Sequence, residues 1–371
     1  MTTVAVLAAA LTVGALPSVA QAGGGDAVRQ GLERLVRDDR YPAALASTTD
    51  QNGRVRNYTA GVADLKTKAP VPVDGQVRAG SNTKTFTATV VLQLVGEGKV
   101  SLDSPIETYL PNLVRGEGID GRVITVRQLL QHTSGLPNYT AFMLDAVLGD
   151  RHRYYQPREL VDVALAHKAE FAPGTSVAYS NTNYILAGLL IEKVTGRPLV
   201  EQINQRIIKP LGLRHTYFPA IGEEGIREAH PQGYHAAKPG APLEDYTEVD
   251  PSWGWSAGQL ISTPSDLNRF FSALLAGKLL KPAQLTEMRT TVTAPEGMGH
   301  GIRFGLGLFS TPLSCGGLMW GHGGDTPGYS TKTGYTDDGR AATIAVTANM
   351  APTAQGPDNA QSLVDTALCK K

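Results

Sequence analysis

The sequence predicts an α/β fold of the α+β kind: one antiparallel β-sheet, flanked by the N- and C-terminal helices, with a large, mainly helical insertion. Three observations carry this. Short runs rich in β-branched and aromatic residues lie near the two ends of the chain. Between them, from Asp103 to about Thr290, apolar residues recur with the helical period. Asn52-Gly53 and Asp338-Gly339 supply hairpin turns inside the end segments.

Taken in order, 26–37 is an amphipathic helix with Val28, Leu32 and Leu35 on one stripe. Residues 43–60 form a hairpin around Gln51-Asn52-Gly53, and 61–77 is a loop. Gly80 and Ser81 open a long apolar helix that stops near Gly96-Glu97-Gly98. Further helices are expected at 125–131, 158–167, 183–194, 200–208 and 264–275. Strands follow at 304–309, 318–322, 329–335 and 342–348, and 361–369 closes the chain as a helix. The sheet subdomain therefore spans about 23–78 and 300–371, and the helical one about 79–299.

The 371 residues carry 34 basic and 34 acidic side chains, a balance that points away from nucleic acid and from anionic membranes as partners. Residues 1–22 read as a secretory signal peptide, with an apolar stretch from Val4 to Leu16 and an Ala20-Gln21-Ala22 cleavage site. No Lys or Arg precedes Val4, and the competing reading is a disordered or core-packed N-terminus. The expectation is a secreted protein with no membrane anchor after cleavage. The two cysteines, Cys315 and Cys369, suit a disulfide in an exported chain, stabilising by about 4 kcal/mol as an upper figure. The alternative is two buried thiols.

Candidate chemistry begins at Ser81. Lys84 follows three residues later, on the same helix face, with roughly 5–6 Å between Cβ atoms. A hydroxyl at a helix N-terminus lies near unpaired N–H groups that stabilise an oxyanion. An amine one turn below takes the hydroxyl proton if burial lowers its pKa. The competing reading is a serine cap beside a solvated lysine. Tyr179-Ser180-Asn181 forms a second cluster: a tyrosine whose pKa a neighbouring ammonium pulls down, and an asparagine able to bind both a substrate carbonyl and the lysine. A third is His322-Gly323-Gly324-Asp325, where two glycines leave room for substrate backbone along a strand edge. Taken singly, a packed tyrosine with an Asn cap and a histidine in a glycine-rich turn explain the last two.

Together, S-x-x-K at Ser81 and Lys84, Y-x-N at Tyr179 and Asn181, and H-x-G at His322 and Gly324 resemble the penicillin-recognising serine hydrolases. The resemblance covers nearly the whole chain after residue 22 and is nearest to secreted D-Ala-D-Ala carboxypeptidases related to class C β-lactamases. It implies a β-lactamase/transpeptidase-like fold and an acyl-enzyme on Ser81. Lys84 and Tyr179 would share acid–base work, His322 would support the tyrosine or the leaving group, and Asn181 would bind the acyl amide. The N–H groups of Ser81 and Asp325 would form the oxyanion hole, Gly323 and Gly324 would leave room for substrate, and Trp253 would line the cleft. It implies D-amino-acid-containing peptides, amides or esters as substrates and β-lactams as candidate inhibitors; no H-E-x-x-H or paired Cys/His spacing suggests a metal site, and no cofactor is expected.

Where the carboxypeptidases bind a C-terminal carboxylate with hydroxyl side chains and an arginine, this chain has Gly323, Asp325 and Phe309. An aspartate there repels a carboxylate and suits an uncharged group or an ammonium. The same-fold alternative is thus a D-stereospecific amidase, aminopeptidase or esterase. The alternative of another class is a β-lactam- or peptidoglycan-binding protein without turnover. Arg303 is a candidate substitute partner for a carboxylate. Lys332-Thr333-Gly334 spells the K-T-G of other β-lactamase classes but falls too late to align. Gly297 to Gly301 is glycine-rich without the strand and helix of a phosphate cradle.

Overall fold

The computed structural model describes residues 26–238, 240–295, 301–349 and 353–369. The stretch read as a signal peptide and the glycine-rich run 297–300 lie outside them.

Nine strands form the main sheet: β1 Ala43–Thr49, β2 Val55–Gly61, β3 Val292–Thr293, β4 Arg303–Phe304, β5 Phe309–Pro312, β6 Leu318–Gly321, β7 Gly323–Thr326, β8 Tyr329–Tyr335 and β9 Ala341–Val346. The spatial order is β2-β1-β9-β8-β6-β5-β4-β3, with β7 also paired to β8. All neighbours run antiparallel. The N-terminal hairpin is closed by Asp50–Arg54, where Gly53 takes a positive φ of 76°. Leu45 opposite Ala345 and Ala46 opposite Ile344 join the two ends of the chain.

The helices named below are α1 Ala27–Arg37, α2 Thr83–Gly96, α3 Asn181–Thr195, α4 Pro264–Leu275 and α5 Gly356–Cys369. α1 and α5 cover one face of the sheet through Val28, Leu32, Leu363 and Val364. α4 packs on the other face, where buried Asn268 bonds the Ser47 carbonyl at 2.9 Å and Thr343 at 2.7 Å. α2 is buried on all sides from Thr83 to Leu92, so its sequence shows an apolar run rather than a stripe.

One expected strand differs. Residues 304–309 divide into β4 and β5 around a turn at Gly305 and Gly307. Gly307 has φ 81°, and a Cβ there would meet the Ala88 methyl at 2.4 Å. Its carbonyl accepts a 2.6 Å bond from Thr85 on α2. The chain bends there to meet the helix below Ser81. The sheet also gains β3, ahead of the expected boundary near 300.

Candidate active site

Ser81 sits in a 3₁₀ turn, Gly80–Asn82, that feeds directly into α2. The Lys84 ammonium position is fully enclosed: Nζ lies 2.9 Å from Ser81 Oγ, 2.7 Å from Asn181 Oδ1 and 2.8 Å from the Ala257 carbonyl. Burial holds its pKa well below the ordinary lysine value of 10.5. A neutral amine offers two hydrogens and one lone pair. The two carbonyl oxygens only accept, so they take the hydrogens. The lone pair is left facing the Ser81 hydroxyl.

Asn181 opens α3, whose end Gly196 caps in the left-handed conformation. Its Oδ1 faces Lys84. Its Nδ2 donates to Asn138 Oδ1 at 3.2 Å and Thr140 Oγ1 at 3.3 Å, so a substrate carbonyl would compete with those partners.

Tyr179 comes just before α3, and Ser81 hydrogen-bonds its phenol. The expectation of a lowered pKa does not hold. Burial pushes the phenol up, and the Ser81 contact offsets this only in part. The Lys84 nitrogen is 4.9 Å from the ring centroid, but as a neutral amine it exerts no cationic pull. The resting site thus keeps a proton on the phenol and a lone pair on the amine.

A residue that motif reasoning missed lies beneath the tyrosine. His132 stacks on the Tyr179 ring at 4.4 Å between centroids, 28° from parallel. Its carbonyl accepts from the Ala178 N–H at 3.0 Å and its Nδ1 from the Ser180 N–H at 3.2 Å, so it clamps Tyr179 on both sides. Nδ1 also faces Asn183 Nδ2 at 3.2 Å. Because Nδ1 accepts, the ring proton is on Nε2. Burial holds the imidazole neutral. The only sequence signal is a polar run, Gln131 to Ser134, directly after a short helix.

His322 lies between β6 and β7. Its Nδ1 donates to the Gly323 carbonyl, which leaves Nε2 as a buried acceptor without a partner among the described residues. Burial brings its pKa down to about 3. The ring lies 6.2 Å from Tyr179 and 4.3 Å from Phe309. Thr333 clasps the His322 backbone, with Oγ1 accepting from its N–H at 3.0 Å and donating to its carbonyl at 2.6 Å. In Lys332-Thr333-Gly334, then, the threonine supports the His motif.

Strand β7 presses against the serine turn. A Cβ on Gly324 would stand 1.9 Å from the Ala79 carbonyl, and one on Gly80 would stand 2.8 Å from the Asp325 nitrogen. Gly80 has φ 53°. Asn82 fixes the approach, donating to Thr331 Oγ1 at 2.8 Å on β8. This brings the Asp325 N–H beside Ser81, where the oxyanion hole was expected. Gly323 is open, with Lys332 Nζ 3.7 Å from where its Cβ would be. The Asp325 carboxylate is 54% exposed, accepts from Ser330 at 2.6 Å and pairs with Lys332 at 3.5 Å. Phe309 stacks on Phe304, with centroids 4.5 Å apart, beside the His322 ring.

Arg303 does not serve as the substitute partner for a carboxylate. Its guanidinium is held by Thr291 and Thr293 on the edge of the sheet, at 2.8 to 3.1 Å. Trp253 is partly buried, and its carbonyl accepts from Tyr139. Cys315 and Cys369 are joined, with Cα atoms 5.6 Å apart, which ties α5 to the β5–β6 turn.

A serine hydroxyl, a buried neutral amine and a protonated phenol meeting at a strand edge define a serine hydrolase of the β-lactamase fold. The Beta-lactamase family profile matches residues 28–368, and the chain belongs to that family of penicillin-recognising serine hydrolases. Among relatives, it is 28% identical to Penicillin-binding protein 4* of Bacillus subtilis, over 74% of this chain and 61% of that one. It is 31% identical to Penicillin-binding protein 4 of Amycolatopsis lactamdurans, over 50% and 46%. The chain thus spans about half the length of these relatives. Among solved structures, a D-stereospecific amidohydrolase from Streptomyces sp. superposes with a TM-score of 0.83 and 42% identity, covering 90% of this chain and 97% of that one. The D-amino acid amidase of Ochrobactrum anthropi SV3, complexed with L-phenylalanine amide, gives 0.81 and 28%, covering 92% and 96%. No described helix is long and apolar enough to cross a membrane.

Proposed function

We propose that the protein is an exported D-stereospecific amidohydrolase, acting on amides, short peptides and esters whose acyl group is a D-amino acid. The Ser81 oxygen attacks the carbonyl carbon and its proton passes to Lys84. The N–H groups of Ser81 and Asp325 hold the oxyanion, a contribution on the order of several kcal/mol. Collapse breaks the C–N bond, and the Tyr179 phenol gives its proton to the departing amine. The Lys84 ammonium then returns a proton to the phenolate. His322 Nε2 accepts from the phenol or the leaving group. Water repeats the sequence on the acyl-enzyme and frees Ser81. β-Lactams enter the same acylation as slowly released substrates. Asn181, Trp253 and Gly323 border the bound substrate.

The observation that carries the substrate choice is the half-exposed Asp325 carboxylate on the strand edge beside Ser81. It disfavours a free C-terminal carboxylate and favours an ammonium or a neutral amide. The likeness to the Streptomyces amidohydrolase supports this reading. Lys332, 3.5 Å from Asp325, supports D-Ala-D-Ala carboxypeptidase activity as the second reading, with its ammonium taking the carboxylate.

The test is kcat/KM over D-amino acid amides, D-Ala-D-Ala peptides and nitrophenyl esters, for the wild type and Asp325→Asn. Amides and esters should lead in the wild type, and Asp325→Asn should improve the free-carboxylate peptides selectively, by about 5- to 10-fold at low salt. A wild-type preference for free-carboxylate peptides rejects the amidase reading. Export rests on residues 1–22 and the disulfide. A mature N-terminus at Gly23 in culture medium is the expected result.

A further inference from the structure

We propose that a small cavity beside the cleft is a binding site for a monatomic anion of chloride size, held by Arg78, Trp253 and Thr326. The cavity is lined by these three with Val249, Pro251, Gly258 and Gln259, and has room for about one water-sized sphere. Buried side-chain atoms without a hydrogen-bond partner concentrate on it. They are Arg78 Nε and Nη1, Trp253 Nε1, Gln259 Oε1 and Thr326 Oγ1. Proteins rarely leave such atoms unmet, so several on one small cavity point to a missing occupant.

The charge balance identifies the occupant. The Arg78 side chain is 2% exposed. Its Nη2 donates to the Glu224 carbonyl and, at 2.8 Å, to the Thr247 carbonyl. No carboxylate forms an ion pair with it among the described residues; Asp250 and Glu224 act only through space. The Asp250 carboxylate accepts from the Ser252 N–H at 2.9 Å, and the Glu224 carboxylate is 2.6 Å from His152. The orphaned groups are mostly donors: the guanidinium hydrogens, the indole N–H and a hydroxyl free to turn. Gln259 Oε1 only accepts, and the Thr326 hydroxyl can accept as well as donate. One water accepts two hydrogens and brings two more that need acceptors. A monatomic anion accepts from all the donors and balances the buried charge. Carboxylate, sulfate and phosphate are too large for the space.

The position ties the site to both walls of the cleft. Gly258 follows Ala257, whose carbonyl holds Lys84. Thr326 ends the strand that carries Asp325. An anion here braces both segments, whatever the substrate proves to be.

The test uses the purified full chain, exchanged into methanesulfonate salt and titrated with chloride or bromide at constant ionic strength. The melting temperature should rise saturably by about 2–4 °C with either halide. Crystals grown in bromide should show an anomalous bromine peak in contact with Arg78 and Trp253. Thr326→Val should weaken the apparent halide affinity several-fold. Absence of a halide-specific rise in the wild type overturns the proposal. So does absence of the bromine peak, which would leave water as the occupant. A peak with no rise in solution means binding at crystal concentration only and also overturns it. An unchanged halide response in Thr326→Val removes the assigned ligand set. None of these readouts depends on turnover, so they stand apart from the substrate question.

Discussion

Replacing His132 should slow catalysis without touching any group that contacts substrate. The ring stacks 4.4 Å from Tyr179, and its Nδ1 accepts from the Ser180 N–H and Asn183 Nδ2, both at 3.2 Å. His132→Phe keeps a flat ring but strands two buried donors, each costing about 1–3 kcal/mol. His132→Asn keeps an acceptor and tolerates the positive φ of 59°, but loses the stack. In both variants Tyr179 loses part of its clamp. A displacement near 1 Å costs about 100-fold in rate when reacting groups must be aligned. The expected result is kcat for a chromogenic D-amino acid ester falling by about 10- to 100-fold, with KM changing much less. The phenylalanine variant should also lose about 2–4 kcal/mol of stability in urea. His132→Asn should recover more stability than rate, because it restores an acceptor but not the stack. Two folded variants with wild-type kcat would refute the clamp. Equal losses in kcat and 1/KM would point instead to general damage to the cleft.

Lys84→Met should abolish acylation by a fluorescent penicillin while preserving the fold, since an apolar chain replaces a buried amine of similar length; retained labelling would reject Lys84 as the base. In the wild type, kcat/KM should level off well below the pH at which an ordinary lysine loses its proton, because burial lowers the Lys84 pKa; a rise that continues toward pH 10 would contradict that. Gly324→Ala should cost at least about 100-fold in kcat/KM, because its methyl would stand 1.9 Å from the Ala79 carbonyl and force β7 off the serine turn; near-normal activity would mean that the strand yields. Acid should destabilise the protein through His322. The unfolded chain binds a proton near pH 6.5 that the folded ring refuses until about pH 3, so stability falls as pH drops through that window. His322→Asn should lessen the fall in urea-unfolding free energy between pH 7 and 4 by up to a few kcal/mol; an unchanged fall would show that the ring is not held neutral.

The parts legible in the sequence are those that depend on spacing along one element. Ser81 and Lys84 share a helix face because residues three apart do so in any helix, and the glycine turns closed the two hairpins that meet along the β1–β9 pairing. The helix expected at 264–275 has those bounds in the structure because Thr263 caps it and Pro264 opens it. Less legible was whatever depends on a neighbour from another element. Residues 304–309 look like one strand, yet Gly307 must turn to meet Ala88 across the core. Arg303 looked available until Thr291 and Thr293 enclosed it. Ala257 carries no side-chain signal, yet its carbonyl is one of three partners of the Lys84 nitrogen.

The protonation of the site belongs to this second kind. Sequence reasoning set an ammonium beside a phenol and expected the charge to lower the phenol's pKa. Enclosure by α2, α3 and the 255–258 turn acts on both groups at once and in opposite senses. It strips the proton from Lys84 and secures one on Tyr179. With no ammonium at rest, the amine is already a base and the phenol already an acid. In the proposed mechanism, charge separates only when Ser81 gives up its proton, as the oxyanion forms in front of its two proposed N–H donors. Opening the enclosure would therefore remove the base, even with all three side chains left in place, since an exposed lysine keeps its proton at neutral pH.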